Sequence, residues 1–487
     1  MTDAKIIIVG TGFAGLGLAM QLKRRGIDDF IMLERANDVG GTWRDNCYPG
    51  SQCDVPSHLY SYSWKPKANW SRVFAPAPEI WEYLQDSARE EGILPHIRFD
   101  HEMLEARWND TTHEWIVKTN HGTLRCNVFI SCMGHLADEK LPDIEGIETF
   151  SGEFFHSSSW NHGAKLEGKR IGVVGTGASA IQIIPQMQRV ASELVVFMRN
   201  APYMIPRPDR EYTEAEKRQF ARDPESIPAM RSEMFWGMEN NYAQRRKVPK
   251  FINEGKNVCL AYLADSIPEG DLREKLTPQY EIGCKRVLIS NDFYPAFLQD
   301  NVTLEASALA KIENGNAVSA AGNEYELDYL IFATGFEAVE PPFAKHIFGK
   351  DGRLMSAQWE EGMQAFASTS IHNFPNLLMM NGPNTGLGHN SVVYIVEAQI
   401  EYIVGALEFM AANEIEVFEP AIAAENEYVE FIKDRSAGTI WLTGGCTNWY
   451  VDYRSNRLTV TWPDYAFAFR DANATFDPAA YDLVTAR

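Results

Sequence analysis

Two glycine-rich turns built to one plan constrain this chain more than any other feature. The first lies in KIIIVGTGFAGLGLAMQLKRRG, where four apolar residues run into Gly10-x-Gly12-x-x-Gly15, and Leu18 and Leu22 then fall on one helical face. A strand, a tight turn and a helix fit this pattern. The first glycine permits the sharp turn, and the second lets a pyrophosphate approach the backbone. The third lets the helix pack closely on the strand, with its N-terminus aimed at phosphate charge. The next apolar run, FIMLE, ends at Glu34, 22 residues past Gly12, where a carboxylate can bind ribose hydroxyls.

The second turn lies in KRIGVVGTGASAIQIIPQM and carries Gly175, Gly177 and Ala180. The strand after it, ELVVFMR, ends at Arg199, again 22 residues past the second glycine. The acid has become a base. Glutamate there would repel a ribose 2′-phosphate, whereas arginine pairs with one. A charge-assisted hydrogen bond contributes about 1.5–3 kcal/mol, so one such contact implies roughly a 10- to 150-fold preference for NADPH over NADH. Two different dinucleotides in one chain point to electron transfer between them, from NADPH to FAD, with FAD on the first unit.

At 487 residues the chain is long enough for two or three domains. The expected fold class is α/β, with two Rossmann-like dinucleotide-binding domains, the NADP domain inserted in the FAD domain. The runs NVFISCMG and YLIFATGF, short, apolar and ending in glycine, mark the crossings between them. The expected boundaries are 1–145 and 335–487 for a split FAD-binding domain, and 146–207 with 280–334 for the NADP-binding domain. A charged, helix-like stretch over 208–279 reads as a helical insertion within the latter.

A formal net charge of −21 argues against a nucleic-acid partner, because phosphate contacts need a basic face. The seven cysteines are scattered without a CxxC, so neither a disulfide framework nor a metal site is expected. With no membrane-length apolar run and a strand-like start rather than a leader, the expected location is the cytoplasm. Oligomeric state is not legible.

Further motifs carry a resemblance to a known family. Phe150-x-Gly152-xxx-His156-xxx-Trp160 resembles the fingerprint of type I Baeyer–Villiger monooxygenases, class B flavoproteins that insert oxygen beside a ketone carbonyl. The related flavin-containing monooxygenases usually hold tyrosine or phenylalanine where Trp160 stands. Asn161 occupies a position the family gives to proline or aspartate. GGTWRDNCYPGSQCDVPSHLYSYSW (40–64), GCKRVLISNDFY, ATGF, NGPNTGLGH and NWY follow in the family's order, so the resemblance spans nearly the whole chain. Within the family the wording resembles the 4-hydroxyacetophenone monooxygenase-like branch.

The resemblance implies an NADPH- and O2-dependent conversion of ketones to esters or lactones through a flavin C4a-peroxide. It assigns Arg286 as the fixed positive charge over the flavin and Asp54 as the acid that pairs with it; Arg286 can also be read as half of a plain Lys–Arg surface pair. Thr42, Trp43, Arg44, Asp45, Asp54, Tyr60 and Met103 match flavin-contacting positions, although Trp43 and Tyr60 read equally as core aromatics. Thr176, Ser179, Gln182, Lys285, Arg286 and Trp449 match NADP-contacting positions beside Arg199. Gln52 stands where many relatives have arginine. His156 and His389 read as structural. The alternatives are a sulfide- or amine-oxygenating flavin-containing monooxygenase and an FAD/NADP redox sensor without turnover.

Overall fold

The structure is a computed structural model that describes residues 3–486. Two five-stranded parallel sheets carry the two glycine turns. In the first, Ile6–Val9 pairs with Phe30–Leu33 on one side and Val128–Ser131 on the other; Ile97–Arg98 and Leu377–Met379 form the edges. In the second, Arg170–Val174 pairs with Glu193–Phe197 and Tyr329–Phe332, with Val302–Glu305 and Glu153–His156 at the edges. The strands Ile6–Val9, Val128–Ser131 and Tyr329–Phe332 are buried at every position. Parallel sheets covered on both faces require such unbroken apolar runs.

The two sheets share one strand order, which sequence repetition does not betray beyond the glycine turns. In each, the strand before the turn is central, the strand after its helix lies on one side, and a returning strand lies on the other. A three-stranded antiparallel meander precedes each returning strand, at Met103–Asn109, Glu114–Thr119 and Gly122–Cys126 in the first unit, and at Leu309–Glu313, Asn316–Ser319 and Glu324–Tyr325 in the second. The outer strands are exchanged along the chain. Leu377–Met379 completes the first sheet from beyond the second unit, and Glu153–His156 completes the second from before its own turn.

Five helices, Glu214–Arg222, Ser226–Glu239, Tyr242–Arg245, Pro249–Ser266 and Asp271–Lys275, fill the stretch between Met204–Ile205 and Leu288–Ile289, which pair as a two-stranded parallel ribbon. The ribbon returns the chain to the point where the insertion left it. Thr213 and Glu216 form a reciprocal capping box that starts the first of these helices. The helix Val392–Ala412 packs on Phe13–Arg24 and buries most of its length.

One expectation fails. Cys284 and Cys446 form a disulfide across 162 residues, joining the segment of Lys285 and Arg286 to the loop of Trp449. The pairing is tertiary, between sites remote in sequence, so spacing carried no sign of it. Among the described residues no cluster of His, Cys, Asp or Glu could hold a metal ion, and no helix is long and apolar enough to cross a membrane.

Candidate functional site

A single cavity of about 1400 Å³ runs between the two sheets. That exceeds the roughly 300–1,000 Å³ of a pocket for one small molecule, and leaves room for two extended ligands. Of the residues expected at the site, all but Gly15 and Ala180 line it. Those two lie in the first turn of their helices, buried. A Cβ on Gly15 would sit 2.0 Å from the Gly10 carbonyl oxygen, so only glycine lets that helix meet its own turn. Gly10 and Gly175 adopt φ of 106° and 125°, and a Cβ on either would strike a carbonyl of the neighbouring returning strand, Cys132 at 2.5 Å or Ala333 at 2.4 Å.

Both turns fit an anion. The helices Phe13–Arg24 and Ala178–Val190 begin at Gly12 and Gly177 with no side-chain cap, so their first N–H groups face the cavity without a side-chain acceptor. A Cβ on Gly177 would meet nothing within 4 Å, and one on Gly12 would meet only Gly41 Cα at 3.8 Å. Backbone faces open space at both turns, as a pyrophosphate requires.

The carboxylate of Glu34 is 5% exposed and already carries four donors. Oε2 accepts from Thr11 N (3.2 Å) and Thr11 Oγ1 (2.6 Å), and Oε1 accepts from Ala36 N (3.0 Å) and faces Arg44 Nη1 at 3.1 Å. Four donors fill the acceptor sites of a carboxylate, so a ribose hydroxyl reaches Glu34 only by displacing Arg44 or the Thr11 hydroxyl. Arg44 in turn holds Asp45, its Nε donating at 2.7 Å. Burial alone would lower the pKa of Arg44, but Asp45 and Glu34 outweigh it and raise it. Trp43 donates from Nε1 to the Tyr60 hydroxyl at 3.3 Å and packs edge-on against that ring. Thr42 is exposed on the rim, and half-buried Met103 lies in the strand that opens the first meander.

On the opposite wall the charges are open. Arg199 is exposed at the end of its strand and forms no ion pair among the described residues. Lys285 sits over the Tyr280 ring at 5.1 Å, and its pKa is lowered by burial and by Arg199. Two cations converge with no carboxylate between them, the arrangement a phosphate completes. Thr176 donates from Oγ1 to Asn200 O (3.2 Å), and Ser179 stands half-buried beside Gly177.

Gln182 and Gln52 both line the cavity, where they tie the two units to each other. The Gln182 amide accepts from the Tyr48 hydroxyl (3.0 Å) and Gln52 N (3.3 Å) and donates to Gln52 O (2.8 Å), so it ties the second helix to the loop of the first unit. Gln52 donates from Nε2 to Phe74 O (2.6 Å) and Asp209 (3.0 Å). Both amides are spent on protein partners.

Between the two walls Arg286 Nε donates to Asp54 Oδ2 at 2.6 Å, and its Nη1 donates to Leu387 O at 3.2 Å. Their side chains are 27% and 28% exposed, both on the cavity. Burial alone would lower the pKa of Arg286, but Asp54 and its other neighbours raise it well above the ordinary value. The guanidinium therefore stays charged at any pH at which the protein is folded. Trp449 stands 43% exposed over the rim.

The two histidines lie outside the cavity. His156 is buried at the end of an edge strand; its Nδ1 accepts from Ser158 N at 3.2 Å and caps a short helical turn. Trp160 packs edge-on against Phe155 behind it. His389 lies 3.1 Å from Glu239, whose carboxylate also accepts from Asn390 and Ala466 N. Sequence reasoning missed Arg245, a guanidinium only 4% exposed on the short helix Tyr242–Arg245, which donates to Gly388 O at 2.8 Å. In a run of charged residues nothing distinguished it.

Comparison with known proteins agrees with this geometry. A model of the flavin-binding monooxygenase-like family matches residues 3–214. A Baeyer–Villiger monooxygenase of Streptomyces coelicolor is 39% identical over 482 residues, covering 99% of this chain and 92% of that protein. One from Pseudomonas aeruginosa is 37% identical, with the same coverage. Cyclohexanone monooxygenase from Rhodococcus sp. Phi1, solved with NADP+, superposes with a TM-score of 0.89 at 24% identity over 99% of both chains, which shows the shared fold. OTEMO, solved with FAD and NADP, superposes at 0.88 with 25% identity over 99% of this chain and 100% of that one. With both glycine turns and the Asp54–Arg286 pair opening on one cavity, and with these full-length relatives, the chain belongs to the Baeyer–Villiger monooxygenase family.

Proposed function

We propose that the chain uses NADPH and O2 to convert ketones to esters or lactones, with Arg286 and Asp54 as its catalytic pair. FAD, when bound, takes a hydride from NADPH and passes activated oxygen to the substrate. The first glycine turn, with Glu34, Arg44, Trp43 and Tyr60, would hold FAD. The second, with Thr176, Ser179, Arg199 and Lys285, would hold NADP(H). The corresponding domains are 1–145 with 335–487, and 146–207 with 280–334, the helices of 208–279 being the insertion. A cytoplasmic location belongs to this reading, with the Cys284–Cys446 bridge as an exception to be tested by thiol titration.

The observation that carries it is the Arg286–Asp54 pair, held on the cavity where the two units meet. A ketone becomes an ester when a nucleophilic oxygen adds to its carbonyl, so negative charge must be tolerated first on the nucleophile and then on the carbonyl oxygen. Arg286 supplies a cation that cannot surrender its proton to either. Asp54 and Leu387 O fix the plane of the guanidinium, so little reorganisation is needed as charge develops.

The test is aerobic incubation with NADPH, labelled dioxygen, a panel of cyclic, linear and aryl ketones, and one aryl sulfide. One labelled oxygen in an ester or lactone is the expected result. Sulfoxide as the sole product would replace this reading with electrophilic oxygenation, and bound FAD without substrate-stimulated NADPH consumption would replace it with a redox sensor. Arg286→Ala is expected to accept hydride yet lose ester formation by on the order of 10²–10³-fold.

A further inference from the structure

In the NWY segment Trp449 stands exposed at the rim, whereas its neighbour Tyr450 is buried on the cavity wall and is the better-placed polar group. We propose that the Tyr450 hydroxyl donates a hydrogen bond to the carbonyl oxygen of the substrate, beside Arg286, and so is a further catalytic residue of this enzyme. The proposal rests on the ketone reading above.

Tyr450 is 2% exposed, and what remains accessible faces the cavity it shares with Arg286, Asp54 and Leu387. Its backbone is fixed on both sides. The N–H donates to Asn448 Oδ1 at 3.0 Å, and the carbonyl accepts from Thr459 N (3.1 Å) and Val460 N (3.3 Å). Its ring lies 4.7 Å from that of Trp449 and 6.1 Å from that of Trp441. The ring is thus immobilised, while its hydroxyl forms no hydrogen bond among the described residues and is not sealed from the cavity either.

Three of the other four tyrosines on the cavity lack that freedom. Tyr48 spends its hydroxyl on Gln182, Tyr60 bonds Trp43, and Tyr453 donates to Cys446 O. A rigid phenol without a partner on a cavity wall is a group whose partner is the ligand.

Its electrostatic setting favours donation to an oxygen gaining negative charge. Arg286 and Arg245 are its cationic neighbours, and they grip adjacent carbonyls of one loop, Leu387 and Gly388. Burial raises the phenol pKa; the two guanidiniums oppose that shift and Asp54 adds to it. Tyr450 therefore remains an O–H donor through the neutral range. No bond to oxygen forms or breaks at Tyr450 and no proton leaves it. It contributes one hydrogen bond that strengthens as the carbonyl becomes an alkoxide, which is the form of binding that raises rate rather than affinity alone.

The experiment uses the FAD-loaded full chain and compares wild type with Tyr450→Phe on an aryl ketone and an aryl sulfide, after matching flavin content and melting temperature. Ester formation is expected to fall about 10- to 100-fold in kcat/KM, and the ester-to-sulfoxide ratio to fall with it, because oxygen transfer to sulfur involves no carbonyl. Wild-type kcat/KM for the ketone, or an equal loss on both substrates, would overturn the assignment. A wild-type enzyme that makes no ester from any ketone overturns instead the reading on which it rests. Incorporation of 3,5-difluorotyrosine at position 450, which keeps the shape and acidifies the phenol, serves if Tyr450→Phe does not retain FAD. It is expected to move the alkaline limb of ester formation to lower pH, and an unmoved limb would refute the donor role.

Discussion

The two nucleotide units follow one strand order, and their differences lie in how much of each site is built before a ligand arrives. In the first, the acid at the end of the second strand is buried and saturated by Thr11, Ala36 and Arg44. Nine of the twelve residues of its helix are buried, and the helix touches its turn so closely that Gly15 admits no side chain. In the second, six of thirteen helical residues are buried, a methyl group is accommodated at Ala180, and Arg199 at the strand end and half-buried Lys285 beside it form no ion pair among the described residues. A wall whose polar groups are pre-paired is rigid and suits a ligand that stays. A wall with unpaired cations gains most when a phosphate arrives and can release it again. That division suits an enzyme that keeps one dinucleotide and exchanges the other.

The sharpest break of this comparison is at the third turn position. Gly15→Ala forces a Cβ against a backbone oxygen, and neither the helix nor the strand below it can yield without unpacking a buried layer. The expected outcome is loss of bound flavin and destabilisation beyond about 4 kcal/mol, read by flavin absorbance and by chemical denaturation. The mirror change, Ala180→Gly, is expected to cost about 1 kcal/mol and to leave the flavin in place. Equal effects at the two positions would mean that the units are equally tight.

A smaller effect separates the charges. Arg199→Ala and Lys285→Ala are each expected to raise the KM for NADPH about 10- to 150-fold while leaving that for NADH nearly unchanged. Equal losses with both cofactors would remove the 2′-phosphate from this wall.

What was legible in the sequence follows the same line. The turn glycines were readable because positive φ and close backbone approach admit no other residue, and that constraint is local. Strand assignment was readable because burial on both faces demands unbroken apolar runs. Arg286 and Asp54 lie 232 positions apart and meet only through the folding of both units, so resemblance and not spacing brought them together. The disulfide escaped for the same reason. Side-chain identity does not reveal that the amides of Gln52 and Gln182 bond Asp209 and Tyr48. Tyr450 was hidden by its neighbours, since an aromatic among aromatics reads as core until its one unpartnered atom is located.

The titration of Lys285 gives the smallest effect and the most direct measure of how open the second wall is. Burial and the adjacent Arg199 lower its pKa from the ordinary 10.5. The lysine therefore begins to lose its charge at a lower pH than a free one, and with it the attraction for a 2′-phosphate. As pH rises toward 10.5 the KM for NADPH is expected to climb, whereas that for NADH, which offers no phosphate at this position, stays level across the same interval. In Lys285→Arg the guanidinium holds its proton throughout, so the climb should flatten even if the baseline affinity changes. A climb that persists in Lys285→Arg would place the titrating group elsewhere. A climb shared by NADH would show that it acts on the common part of the dinucleotide, and the contrast between the walls would then rest on burial alone.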